Sequence, residues 1–301
     1  MRNAMGSALI DLYKKHDFVF LTGDLGFMAL ENLRDAMGVH FINAGVAEQN
    51  MAAVAAGMAS AGLQCWIYSI APFIYARPFE QIRNDICSHN LDVKLIGNGG
   101  GYGYGSMGPT HHALEDYGIL LTLQNMHVFI PAFAEDVPII ISKMAGIHRP
   151  AYLRLGKCEK PKGFELPEYA GWRKLVPGNN AVILAVGPVA GPIMGAILAL
   201  MPESRPELWV LTELPVNDTL PTDFLESIER CKHLIVVEEH VLQGSVGQMI
   251  AHRILTAGIK LSIFEHAYAM GYPSGFCGSQ TFHRRECGLD PDGILSRVTK
   301  R

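Results

Sequence analysis

Three stretches of the sequence carry side chains whose type and setting could do chemistry. In the first, Phe41-Ile-Asn-Ala-Gly-Val-Ala-Glu48-Gln-Asn-Met51 and the small residues up to Gly62, Glu48 is the one charged group. Burial among apolar groups favours the protonated form of a carboxylic acid, whereas a helix N-terminus favours the anion. A carboxyl balanced between the two can share a proton with a ligand nitrogen, but an acid at a helix start also serves simply to complement the dipole. The second stretch, Ser69-Ile-Ala-Pro-Phe73-Ile-Tyr-Ala-Arg77, sets an aromatic ring after an apolar run; it offers either a stacking platform or an ordinary core residue. The third, Gly97-Asn-Gly-Gly-Gly-Tyr-Gly-Tyr-Gly-Ser-Met-Gly-Pro-Thr-His111-His112, is dense in glycine, which lets backbone approach a ligand and move. His111 at its end suits proton exchange with a hydroxyl near neutral pH, or is solvent-exposed filler.

Several chemistries are excluded. No Gly-Lys-[Ser/Thr] follows the glycines, and Gly103-Tyr-Gly105-Ser-Met-Gly108 runs into Pro109, so neither a nucleotide P-loop nor a dinucleotide fingerprint is present. There is no G-x-S-x-G elbow. His111, His112, Glu115 and Asp116 lack metal-site spacing, so no metal ligands are assigned.

Elements that position these groups follow from the hydrophobic pattern. Short β-branched and apolar runs alternate with helical stretches: a helix over 3–15, strand 18–22, helix 31–37, strand 40–43, helix 47–61, strand 65–70, helix 78–89 and strand 93–97. Strand 127–130, helix 134–145 and strand 152–155 complete the first set. Gly62 is placed to end the helix that starts at Glu48. The pattern lapses in the charged, proline-broken stretch after Gly156, then resumes with strand 181–186, helix 191–200, strand 208–214, strand 234–238, helix 244–256, strand 261–265 and a helical tail from Ile294. This is an α/β chain of two domains, each a mostly parallel sheet covered by helices. The domains span 1–160 and 179–301, with a linker at 161–178.

The 301 residues are 49% hydrophobic and 18% charged, with a net charge of −4. That gives no basic footprint for nucleic acid, and no apolar run approaches the ~20 residues that span a bilayer. Six scattered cysteines with no CxxC pair, and no secretory leader, lead us to expect a cytoplasmic protein with reduced thiols.

Gly45-Val-Ala-Glu48-Gln-Asn-Met51 resembles the Gly-[Ile/Val]-[Ala/Arg]-Glu-[Gln/His] segment of transketolases and their relatives. The resemblance implies that Glu48 meets N1′ of the aminopyrimidine of thiamine diphosphate and activates that cofactor. Phe73 would stack on the ring, and Ile70 stands where a second aromatic wall is common. Gly108-Pro-Thr-His111 resembles the family's Asp-Gly-Pro-Thr-His, which gives His111 a role with substrate protons. Arg2 and Arg154 match arginines that hold substrate phosphate, and Asp24 matches an acid near the subunit junction. Three family substrate contacts are replaced here, by Met28, Gly99 and Met107.

No Gly-Asp-Gly with its following Asn occurs, so the resemblance covers only the pyrimidine-binding and C-terminal domains. It implies a companion subunit that carries the diphosphate-binding domain and the Mg²⁺ ligands, paired heterodimers forming a heterotetramer, and a small sugar substrate. The implied activity is transfer of a two-carbon ketol unit from a ketose to an aldehyde. A 2-oxo acid or deoxyxylulose-phosphate-synthase-like thiamine enzyme, or a non-catalytic regulatory or scaffold homologue, are the alternatives.

Overall fold

The computed structural model describes residues 1–26, 29–216 and 219–299. Met28, one of the three replaced positions, lies outside the described residues. The first sheet contains β1 (Val19–Thr22), β2 (Phe41–Asn43), β3 (Cys65–Ile70), β4 (Val93–Asn98), β5 (His127–Phe129) and β6 (Ala151–Leu155). These six are parallel and lie in the order β5-β6-β4-β3-β1-β2. Alternate side chains separate its two cores. Val19 and Leu21 pack with Met51, Ala52 and Ala55 of the helix Glu48–Ser60. Phe20, Trp66 and Tyr68 face the helices Arg2–Tyr13 and Asp136–Gly146 on the other side.

The second sheet holds β7 (Trp172–Val176), β8 (Val182–Val186), β9 (Glu207–Leu211), β11 (His233–Val237) and β12 (Ile263–Ala267) in the order β12-β11-β8-β9-β7. All neighbours are parallel except β7 on β9. The expectation of two mostly parallel, helix-covered sheets is met.

Three details differ from the sequence reading. Trp172–Val176 forms an edge strand inside the stretch read as linker, because Leu175 and Val176 bury against the second core while Arg173 reaches Asp136 at 2.8 Å. The run 208–214 is not one strand. It breaks at Thr212, and Glu213–Leu214 (β10) leaves the second sheet to pair antiparallel with β5 of the first. The stretch 78–89 is a short helix Phe79–Gln81 passing into a π-helical turn Ile82–Cys87.

Candidate active site

Glu48 opens its helix as the sequence suggests. Asn43 ends β2 and its Oδ1 accepts from the Gly45 N–H at 2.9 Å, a side-chain turn that brings the chain round at Gly45, where φ is 74°. The helix closes in a Schellman motif: Leu63 N–H reaches the Met58 carbonyl, Gly62 N–H reaches that of Ala59, and Gly62 has φ 95°. Strand β1 and the strand end at Ser69 flank the first turn, so the Glu48 carboxyl is only 3% exposed.

Both Glu48 oxygens have partners from this chain. Oε1 accepts from Ser69 Oγ at 3.1 Å, and Oε2 accepts from Arg77 Nη1 at 2.8 Å. The Arg77 guanidinium also lies over the Phe73 ring, 3.7 Å from its centroid. Phe73 and Arg77 meet because four residues separate them at the end of the helix Ala71–Ala76. Phe73 in turn meets the edge of His111, with ring centroids 5.2 Å apart, and His111 meets Tyr104 at 5.9 Å. The Thr110 hydroxyl lies 2.9 Å from His111 Nδ1. Glu48, Phe73 and His111 are therefore brought to one place at the C-terminal ends of the strands, where open α/β sheets bind ligands. Ile70, half-buried, leads into the Phe73 helix. Asp24 is exposed and accepts from Asn43 Nδ2 at 3.0 Å, on the neighbouring turn.

The glycine loop is held differently from the expectation of a free, ligand-cradling backbone. A Cβ at Gly101, whose φ is 63°, would lie 2.7 Å from the Glu239 side chain, and one at Gly105 would press on the 278–280 backbone. Glu239 accepts from Tyr102 N–H at 2.7 Å, from Gln280 Nε2 and from Arg284 at 2.6 Å. His112 is buried with Nε2 at the Gly105 carbonyl and Nδ1 at the Tyr272 hydroxyl, a pairing suited to the neutral ring. Burial pushes its pKa below 6.5. The glycines thus serve mainly to let this loop pack against the second domain, which fixes His111 at its end. The acidic turn after β11 is structural, as expected: Glu238 accepts from the Val246 and Gly247 N–H groups, His266 and the Tyr117 hydroxyl.

Arg154 does not face a substrate. It is buried, its Nε lies 2.9 Å from Asp116 Oδ2, and its Nη2 donates to the Ala113 and Glu239 carbonyls. The spacing that placed it at a strand end could not show that its charge is already matched. Arg2 does border a cleft of about 350 Å³, with Asn3, Asn98, Tyr104, Gly156 and Lys157. Asn98 Nδ2 donates to Tyr104 at 2.8 Å, and a Cβ at Gly99 would run into the Tyr104 ring. Tyr104 thus fills the space that a side chain at 99 would take, and it joins this cleft to His111. Lys157 escaped the sequence reading because it lies in a charged run; its place two residues after β6 was the available signal. Ser69 and Arg77 were missed too, although both flank Phe73 in the quoted motif. Met107 is 58% exposed. A roomier cavity of about 670 Å³ opens beside Lys232 and His233 in the second domain and includes none of these residues.

Residues 1–161 match the family described as transketolase, pyrimidine binding domain. The chain belongs to the transketolase family. It is 30% identical over 262 residues to the B subunit of apulose-4-phosphate transketolase from Actinobacillus succinogenes, covering 84% of this chain and 82% of that one. The protein of the same description from Phocaeicola vulgatus is 26% identical over 301 residues, 97% of this chain and 94% of that one. A solved structure described as a split gene transketolase, inactive beta4 tetramer, superposes with a TM-score of 0.82 at 27% identity, covering 99% of this chain and 96% of that one. The relatives are thus second subunits of split transketolase-like enzymes, and this chain matches them along nearly its whole length.

The residues present fit the pyrimidine half of thiamine diphosphate. A buried carboxylate stands beside an aromatic face, and a planar, N–H-donating guanidinium already occupies the space between them. They do not provide for its diphosphate: among the described residues, no group of three or more His, Cys, Asp or Glu could hold a metal ion.

Proposed function

We propose that the chain is the pyrimidine-side subunit of a two-component transferase that moves a two-carbon ketol unit from a ketose phosphate to an aldehyde. The observation that carries this reading is the convergence of buried Glu48, the Phe73 ring and His111 at one strand-end site. Bound thiamine diphosphate supplies the chemistry of breaking and remaking the carbon–carbon bond next to a carbonyl, and the protein orients it and tunes its charge. Glu48 exchanges a proton at N1′, and the Ser69 hydroxyl fixes the carboxyl's orientation. Phe73 stacks on the ring, with Ile70 beside it, which adds on the order of 1 kcal/mol beyond area burial. His111 moves protons to and from a substrate hydroxyl, and Thr110 sets its ring. Arg2 and Lys157 hold the acidic end of the substrate, the role that the family resemblance gave to Arg154. Asp24 belongs to the junction with the companion subunit.

That companion contributes the diphosphate-binding domain and the Mg²⁺ ligands, and the assembly is a cytoplasmic heterotetramer. The structural relative is described as an inactive tetramer of beta chains, which supports partner dependence. The apulose 4-phosphate named in two relatives is the first donor to test. A non-catalytic scaffold role is the second reading, favoured by Gly99 and Met107 at positions where the family places polar substrate contacts.

The test is to co-express the chain with a neighbouring-gene partner that carries Gly-Asp-Gly, add thiamine diphosphate and Mg²⁺, and screen ketose phosphates against aldehydes. Turnover that Glu48→Gln abolishes supports catalysis. Turnover unaffected by Glu48→Gln and Glu48→Ala rejects the role of Glu48, and no turnover with any pair favours the scaffold.

A further inference from the structure

The arrangement around Glu48 contains a group that the proposed chemistry does not use. Arg77 makes the two contacts that an aminopyrimidine has to make: an N–H donated to Glu48 Oε2 at 2.8 Å and a planar face laid on Phe73 at 3.7 Å. A guanidinium is itself a flat, delocalised nitrogen system, so it satisfies an acid beside an aromatic face much as a protonated heterocycle does. Two such plates cannot share one face of one phenyl ring and one carboxylate oxygen. The other oxygen is engaged by Ser69, and the edge of Phe73 meets His111. The side chain of Arg77 is 43% exposed, against 3% for Glu48, so one of the pair has a route to water and the other does not.

We propose that Arg77 is a gate on the aminopyrimidine site. In the chain alone it covers Glu48 and Phe73, and it swings into solvent before the cofactor ring enters. This rests on the thiamine diphosphate reading above and adds a residue that sets how readily the site loads. The closed position keeps the Glu48 charge paired while the site awaits its companion subunit. It also weakens apparent cofactor affinity in proportion to the closed population, since only the open fraction binds. A half-exposed ion pair with one stacked partner corresponds to a closed excess of about three- to tenfold.

The experiment is a calorimetric titration of thiamine diphosphate with Mg²⁺ into the complex with the companion subunit, for wild type, Arg77→Ala, Arg77→Lys and Glu48→Gln. The dissociation constant is expected to fall about three- to tenfold in Arg77→Ala and by less in Arg77→Lys, which keeps the charge but not the plane. Binding in Arg77→Ala that is unchanged or weaker overturns the gate. If Glu48→Gln still abolishes turnover in that case, the reading of the site stands without it. Should Glu48→Gln bind the cofactor and turn over as wild type does, the reading fails and the gate fails with it. Guanidinium NMR on the chain alone gives a readout free of cofactor. Restricted rotation of the Arg77 guanidinium that Glu48→Gln releases supports the closed position, and free rotation in the wild type overturns it.

Discussion

Glu239 is the side chain on which the placement of the His111 loop depends most directly. It is 5% exposed and accepts from Tyr102 N–H at 2.7 Å, from Gln280 Nε2 at 3.0 and 3.1 Å, and from Arg284 at 2.9 and 2.6 Å. Glu239→Ala leaves Arg284, whose side chain is 11% exposed, without its counter-charge and leaves a buried backbone donor unpaired. Removing one partner of a buried pair costs about 3–5 kcal/mol, and partial rehydration of Arg284 places the loss here near the lower end, about 3 kcal/mol. For a chain of this size that lowers Tm by about 6–12 °C. Glu239→Gln retains hydrogen-bonding capacity and is expected to lose about half as much. Urea unfolding of the three proteins, with Arg284→Met as the fourth corner of a double-mutant cycle, measures the pair directly. A loss below about 1 kcal/mol in Glu239→Ala, or a coupling energy near zero with Arg284→Met, refutes the claim that this carboxylate ties the glycine loop to the second domain.

Two further outcomes are expected. Arg154→Met strands Asp116 as an uncompensated buried charge and should destabilise by about 3–5 kcal/mol, with most of the loss recovered when Asp116→Asn is added. KM for a phosphorylated substrate should hold in whatever protein stays folded, and a raised KM at intact stability would return Arg154 to the substrate site. The second concerns acid. Burial lowers the pKa of His112, and likewise of His240 and His283, below 6.5. Above pH 6.5 the ring is neutral in both folded and unfolded chains, so its contribution is complete there. As pH falls below 6.5 the unfolded chain takes up protons that the folded chain refuses, and stability is lost until the folded pKa is reached. Urea unfolding between pH 7.5 and 5.5 should show this decline, by at most about 1.4 kcal/mol per histidine per pH unit. The slope should be shallower in His112→Asn, and an unchanged slope would remove His112 from the account.

Much of the first domain was legible because its local signals agree. Cys65–Ile70 falls where the apolar run puts it, and the helix from Glu48 is bounded by Asn43–Gly45 before it and Gly62 after it. The site was legible where chemistry sits within one short segment, as with Glu48, Phe73 and His111. It was not legible where partners come from far along the chain. Nothing near Arg154 in sequence announces Asp116 as its counter-ion, and the glycine loop gives no sign that Glu239 will fill the space beside Gly101. The break at Thr212 was hidden for a related reason. An unbroken apolar run says that residues are buried, yet cannot say in which of two sheets. There the Thr212 carbonyl accepts from Ile130 of the first domain while its N–H donates to Gly171.

The two residues of β10 bear on how this protein can be dissected. They cap the outer side of β5, and the Lys143–Glu213 ion pair at 2.6 Å fastens the same margin. A fragment truncated in the charged stretch near residue 160 would take every parallel strand of the first sheet with it and yet leave β5 with a bare rim of unpaired amides and carbonyls. Such rims recruit other chains, so the excised half is expected to clump, and adding back a short peptide spanning 210–216 should keep it dispersed.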